Sequence, residues 1–242
     1  MSDCAIIIPV YKADMTANEL LSLRRVIHVL ISHPLILCAP TGLDISAYIA
    51  EYQGFRVEYF DKEYFESIAG YNRLMLSPIF YGRFQANEYI LIYQLDAYVF
   101  RDELDLWCNK GYDYIGAPWV VSPPKNPEAK KPRFDMAKMM LGKVGNGGFS
   151  LRKVKTHLRA SKKLGFLIRF FPKNEDFFWC CIAPRFIKYK RPTLTEALGF
   201  SFELAPSMAF EQNKNKIPFG CHAWEKYEPE FWENYIPAKD ER

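Results

Sequence analysis

The chain has 242 residues, 49% hydrophobic and 16% aromatic, a composition that excludes extended disorder and can supply a substantial core. A formal net charge of +4 suits an anionic ligand or surface but is too mild to mark a nucleic-acid binder. Six cysteines without a CxxC pair argue against a zinc framework or disulfides and for a reducing cytoplasm; MSDCAIIIPVYK lacks a signal-peptide pattern, and no stretch approaches the roughly 18 apolar residues of a membrane span.

Residues 4–11 read as an apolar strand buried on both faces. Thr16 and Glu19 form a capping box for a helix through about His33. LILCAP (35–40) is a second strand, 44–53 a helix stopped by Gly54, and FRVEYF (55–60) a third strand. A helical stretch spans about Tyr64 to Phe84, with Pro78 as a break. YILIYQLD (89–96) is a fourth strand, 102–111 a short helix and 112–118 another strand. This alternation predicts one α/β domain with a mostly parallel sheet flanked by helices, whose ligands bind beyond the carboxyl ends of the strands. Residues 122–133, rich in proline and lysine, read as a surface loop. Arg152 to Lys173 holds eight Lys or Arg and no acid, with apolar residues crowding its end. It fits a solvated helix face or a segment resting on an anionic membrane. The tail after Pro206 has weak periodicity and many aromatics.

Four places carry candidate chemistry. Asp96, at the end of a buried strand, fits a ribose or metal contact, or a plain turn. Gly145, Gly147 and Gly148 form a glycine turn whose spacing is neither a dinucleotide fingerprint nor a P-loop. Asn174, Glu175 and Asp176 fit a capped helix start as well as a positioned general base. His222, in FGCHAW, has Asp96 as its one attractive metal partner.

Together ILIYQLDAYVF (90–100), VGNGGFSLR (144–152), NEDFFW (174–179) and FGCHAW (219–224), in that order, resemble a nucleotide-sugar glycosyltransferase of the GT-A fold. More closely, the chain resembles bacterial glycosyltransferase-like domains still classed by unknown function. The resemblance implies a Rossmann-type single domain, 1–118 forming the nucleotide-binding half and 119–242 the acceptor-side half. It implies a nucleoside-diphosphate sugar donor, with UDP favoured, and a hexosyltransferase-type reaction with inversion favoured. Asp176 would be the base, with Glu175 in reserve. LDAY (95–98) stands at the DxD position, Asp96 matching its first acid and Tyr98 replacing its second, a departure that bears on Mn2+ or Mg2+ dependence. His222 would complete the metal site. NGGFSLR, with Asn146, Gly147 and Gly148, would line the donor-sugar and acceptor pocket, Tyr11 would contact the nucleotide base, and Asn72 and Arg73 would reach the nucleotide or the sugar. Expected partners are a glycan or glycolipid acceptor of surface-polysaccharide or lipid-linked oligosaccharide assembly and an anionic membrane at the inner face, not nucleic acid. The competing expectations are an inactive nucleotide-sugar-binding module and a membrane-surface or polyanion-binding protein. A dinucleotide oxidoreductase fits least, because VYKADMTANE (10–19) has no glycine for pyrophosphate approach.

Overall fold

In the computed structural model of the chain, which describes residues 3–121, 136–170 and 174–237, the first strand lies at the centre of the main sheet. β1 (Cys4–Pro9) pairs in parallel with β2 (Leu35–Pro40), and β3 (Arg56–Phe60) extends that side. On its other side β1 pairs in parallel with β4 (Tyr89–Tyr93). The two-residue β6 (Tyr114–Ile115) and then β7 (Phe149–Lys153) complete the order β3-β2-β1-β4-β7-β6, with β7 antiparallel to both neighbours. Alternate residues serve two cores. Ile6, Ile8, Leu37 and Leu91 pack on one face, and Ile7, Ile36, Ile90 and Ile92 on the other. Uninterrupted apolar runs are what such a doubly covered sheet requires.

α1 (Ala17–Leu30) starts at the expected box: Thr16 Oγ1 accepts from the Glu19 amide at 3.2 Å, and Glu19 Oε2 from the Thr16 amide at 2.7 Å. It stops at Leu30 rather than His33, since Pro34 disfavours helix before it and β2 follows at once. α2 is Ser46–Glu51. The stretch predicted from Tyr64 to Phe84 is a 3-10 turn (Lys62–Tyr64), α3 (Ile68–Leu76) and α4 (Pro78–Arg83). Ser77 caps α4 and Pro78 takes its first position, where a missing N–H costs nothing.

After β4 the chain leaves the main sheet for β5 (Ala97–Val99), which belongs to a small second sheet, and continues into α5 (Leu104–Asn109). The strand expected over 112–118 narrows to β6. There the Gly116 backbone packs on that of Asn146, and Pro118 makes only an isolated bridge to Val144. The loop expected at 122–133 lies outside the described residues. α6 (Met136–Met140) precedes β7, and α7 (Val154–Lys163) and α8 (Gly165–Ile168) follow it. α9 (Glu175–Phe177), α10 (Leu194–Phe200), β8 (Ser201–Phe202), α11 (Pro206–Gln212), β9 (Gly220–His222) and α12 (Pro229–Trp232) complete the order. The tail is therefore structured, and it completes the second sheet, β5-β9-β8. Among the described residues no helix is long and apolar enough to cross a membrane.

Candidate active site

β2 and β4 leave β1 on opposite sides, so the strand order reverses between β1 and β4, the place where open α/β sheets bind ligands. A cavity of about 710 Å³ opens there. The segments beyond β1 (Tyr11, Lys12) and β4 (Gln94–Asp96) line it, as do Tyr71 and Asn72 of α3, the Asn146–Gly148 turn, Glu175, Asp176 and His222. Both halves of the chain thus supply its walls.

The second sheet aligns one group of side chains. Ala97 of β5 registers with His222 of β9, and Phe202 of β8 with Cys221, so Asp96, His222 and Glu203 come together at one end. His222 Nε2 lies 3.1 Å from Asp96 Oδ1 and 3.1 Å from Gln94 Oε1, and Nδ1 lies 3.2 Å from Glu203 Oε1. Burial opposes charge on this imidazole, but the Asp96 and Glu203 carboxylates outweigh it and hold its pKa well above the usual histidine range. Burial likewise opposes ionisation of Asp96, and the facing His222 reverses that and lowers its pKa.

Tyr98 does not occupy the position expected of the second acid. It is 3% exposed, packs at 5.3 Å on Phe100 and lies beneath the Arg25 guanidinium. The side chain that joins Asp96 at the His222 ring is Gln94, two residues earlier.

The glycines are explained by what they approach. A Cβ on Gly148 would fall on the His222 ring, and one on Gly147 would meet Glu175 Oε1 and lie 2.6 Å from Asp176 Oδ1. Asn146 Oδ1 closes the turn by accepting from the Gly148 amide at 3.0 Å. β7 leads from this turn, and its residue Arg152, the last of NGGFSLR and not singled out in the sequence, is wholly buried. Its guanidinium donates to Ser150 Oγ (3.0 Å), Tyr81 Oη (3.0 Å), the Gly147 carbonyl (3.3 Å) and Glu175 Oε1 (2.7 Å). The alternation of a strand carries the signal: Ser150 and Arg152 share one face of FSLRK.

α9 begins with Asn174 Oδ1 accepting from the Phe177 amide at 2.7 Å. That cap sets the two acids in different surroundings. Glu175 is 4% exposed and neutralised by Arg152. Asp176 has no such partner among the described residues: its Oδ1 is buried and makes no hydrogen bond to them. Burial, then the charges of Glu175 and Glu203, push its pKa well above the ordinary carboxylate value, against smaller opposing effects of Arg152 and His222. A proton acceptor facing a cavity with a raised pKa is the profile of a general base.

At the rim Tyr11 is 62% exposed, and the Tyr48 hydroxyl holds its neighbour by donating to the Lys12 carbonyl at 2.9 Å. Lys12 Nζ is 2.7 Å from Glu19. Tyr71 also lines the cavity, and burial pushes its hydroxyl pKa up. Arg73, expected to reach the nucleotide or the sugar, is not among the residues lining the cavity. It lies on the exposed side of α3, 3.6 Å from Glu63, while Asn72 faces inward.

This mostly parallel sheet with a second small sheet at its switch point is a GT-A-type fold, the fold of nucleotide-sugar glycosyltransferases. Among similar solved structures is mouse xyloside xylosyltransferase 1, with a TM-score of 0.55 at 11% identity, covering 90% of this chain and 96% of that one. The galactosyltransferase LgtC, in complex with donor and acceptor sugar analogs, matches with a TM-score of 0.53 at 14% identity over 97% of this chain and 91% of that one. The mannosyltransferase Ktr4p of S. cerevisiae, in complex with GDP, matches with a TM-score of 0.51 at 7% identity over 72% and 63%. No curated protein matches the sequence. The chain belongs to the DUF5672 family, described as proteins of unknown function, whose profile matches residues 54–222.

Proposed function

We propose that this protein is a glycosyltransferase that moves a sugar from a nucleoside-diphosphate donor to an acceptor hydroxyl with inversion. The observation that carries the reading is Asp176: a partly buried carboxylate, unpaired among the described residues and with a raised pKa, facing a cavity at the sheet's switch point. In the proposed reaction Asp176 takes the proton of the acceptor hydroxyl. The acceptor oxygen forms a bond to the anomeric carbon as the bond from that carbon to the diphosphate oxygen breaks, and the nucleoside diphosphate leaves. A single displacement by one positioned base predicts inversion; the oxocarbenium-like transition state follows by analogy with glycoside hydrolysis. Glu175, tied to Arg152, orients the loop instead.

Residues 1–118 would hold the donor, with UDP the favoured nucleotide, Tyr11 against the base and Asn72 and Lys12 within reach of it. Residues 119–242 would face the acceptor, a glycan or glycolipid hydroxyl. The set Gln94 Oε1, Asp96 Oδ1 and His222 Nε2 is compatible with Mn2+ or Mg2+, since Glu203 orients the imidazole through Nδ1. One carboxylate and a neutral amide make it weaker than a two-acid set, and among the described residues no cluster of three His, Cys, Asp or Glu side chains is arranged for a metal. A bound cation would supply positive charge to the leaving diphosphate. Without it, Lys12 and His222, whose pKa is raised, would supply positive charge from among the described residues that line the cavity.

Gln94 in place of an acid also favours a second reading, a donor-binding module without turnover. A thermal-shift screen of UDP, GDP and their sugars, with Mn2+ or with EDTA, tests both. A nucleotide-selective rise in melting temperature supports a donor site, and donor hydrolysis or transfer then excludes the inactive module. No shift with any nucleotide would overturn both.

A further inference from the structure

We infer that the outer face of α7–α8 is a docking surface for an anionic lipid bilayer. Along these helices and the two residues after them the exposed residues are Lys155, Arg159, Lys162, Lys163, Phe166, Arg169 and Phe170. Lys155, Arg159, Lys162 and Lys163 of α7 follow helical spacing, at i, i+4, i+7 and i+8, Phe166 lies in α8, and Arg169 and Phe170 follow the end of α8. The opposite face is anchored in the protein by Val154, Ala160 and Leu164. The stripe is graded: four cations come first, then two phenylalanines, Phe166 at 62% and Phe170 at 75% exposed, with Arg169 between them. No acidic residue occurs in the sequence from 152 to 173.

Exposed aromatics beside cations are rewarded by a bilayer, where rings enter the acyl boundary while ammonium and guanidinium groups meet lipid phosphates. A polyanion in water rewards only the charges.

The stripe also points toward the active site. β7 runs antiparallel to β4, so Lys153 lies at the end of the sheet opposite the cavity, and α7 carries the chain back. Phe170 is four residues before Asn174, the cap of α9, so the two Cα atoms are within about 14 Å even if the chain between them is fully extended. The aromatic end of the stripe is therefore within that reach of the start of α9, the helix that carries Asp176. The choice of a membrane as partner rests on the transferase reading above; the binding measurement does not.

The test is co-sedimentation of the full chain with phosphatidylcholine vesicles, with and without phosphatidylglycerol, at low and high salt. Binding only to the anionic vesicles, reversed by salt, is expected. Lys162→Glu/Lys163→Glu and, separately, Phe166→Ser/Phe170→Ser should each weaken it by about tenfold or more, with melting temperature and nucleotide-induced shift unchanged. Absence of binding by the parent chain overturns the inference while leaving the nucleotide-shift result, and hence the transferase reading, intact. Binding that needs the lysines but ignores loss of both phenylalanines also overturns it, because the surface is then a general polyanion site.

Discussion

Arg152→Met should be among the most destabilising single substitutions in this chain. The side chain is wholly buried and donates to four acceptors, with Glu175 at 2.7 Å. Its removal leaves Glu175 as an uncompensated charge, itself 4% exposed and with Oε2 unbonded. Breaking a buried pair from one side costs about 3–5 kcal/mol. Against a total stability of about 5–15 kcal/mol, that is a large share. At about 2–4 °C per kcal/mol for a chain of this size, the melting temperature should fall by roughly 6–20 °C. Glu175→Gln in the Arg152→Met background removes the stranded charge and should restore about 1–3 kcal/mol. The assay is equilibrium urea unfolding of the four proteins of the double-mutant cycle. A loss under about 1 kcal/mol for Arg152→Met, or no recovery on adding Glu175→Gln, would refute the assignment of Glu175 as the partner that leaves Asp176 free.

The other predictions concern the cavity itself. The pKa of Asp176 is raised on folding, so between the unfolded Asp value of about 3.9 and the folded value the native state binds more protons and stability falls as pH rises. Asp176→Asn should therefore melt above the parent at neutral pH and lose that advantage near pH ~4; an equal difference at both pH values would contradict the raised pKa. Gly148→Ala places a methyl on the His222 ring and should cost about 1–3 kcal/mol along with nucleotide affinity, while Gly165→Ala, with nothing within 4 Å, serves as control. Nucleotide titration by calorimetry would detect it, and parent-like binding by Gly148→Ala would remove His222 from the site. Tyr11→Ala, at a position 62% exposed, should leave the melting temperature alone and weaken nucleotide binding by about two- to tenfold in the same titration.

Local chemistry was the most legible part of the sequence. The Thr16–Glu19 box, LILCAP and the break at Pro78 each follow from neighbours within a few residues, and the structure has all three. Glu175, Asp176, Gly147, Gly148, Asp96 and His222, chosen from separate segments, do line one cavity. What was not legible depends on partners far along the chain. Gln94 looked like the end of an apolar strand, and only β9 arriving 128 residues later shows it facing His222. Glu203 gains its role through the register of β8 on β9. Arg152 was one of eight cations in a basic run, yet strand alternation turns it inward, while Lys155, Arg159, Lys162 and Lys163 stay outside. Arg73 failed because one helical step separates it from Asn72, and that step takes it out of the cavity.

The most direct test of the central claim is to measure sugar transfer and donor binding side by side for the parent, Asp176→Asn and Glu175→Gln, with the anomeric configuration of the product read by NMR. A general base contributes about 10²–10⁴-fold, so Asp176→Asn should lose transfer by that factor while binding donor like the parent. Glu175→Gln, corrected for its folded fraction, should keep most of its activity, and the product should be inverted. Activity retained by Asp176→Asn and lost by folded Glu175→Gln, or a product of retained configuration, would contradict the assignment.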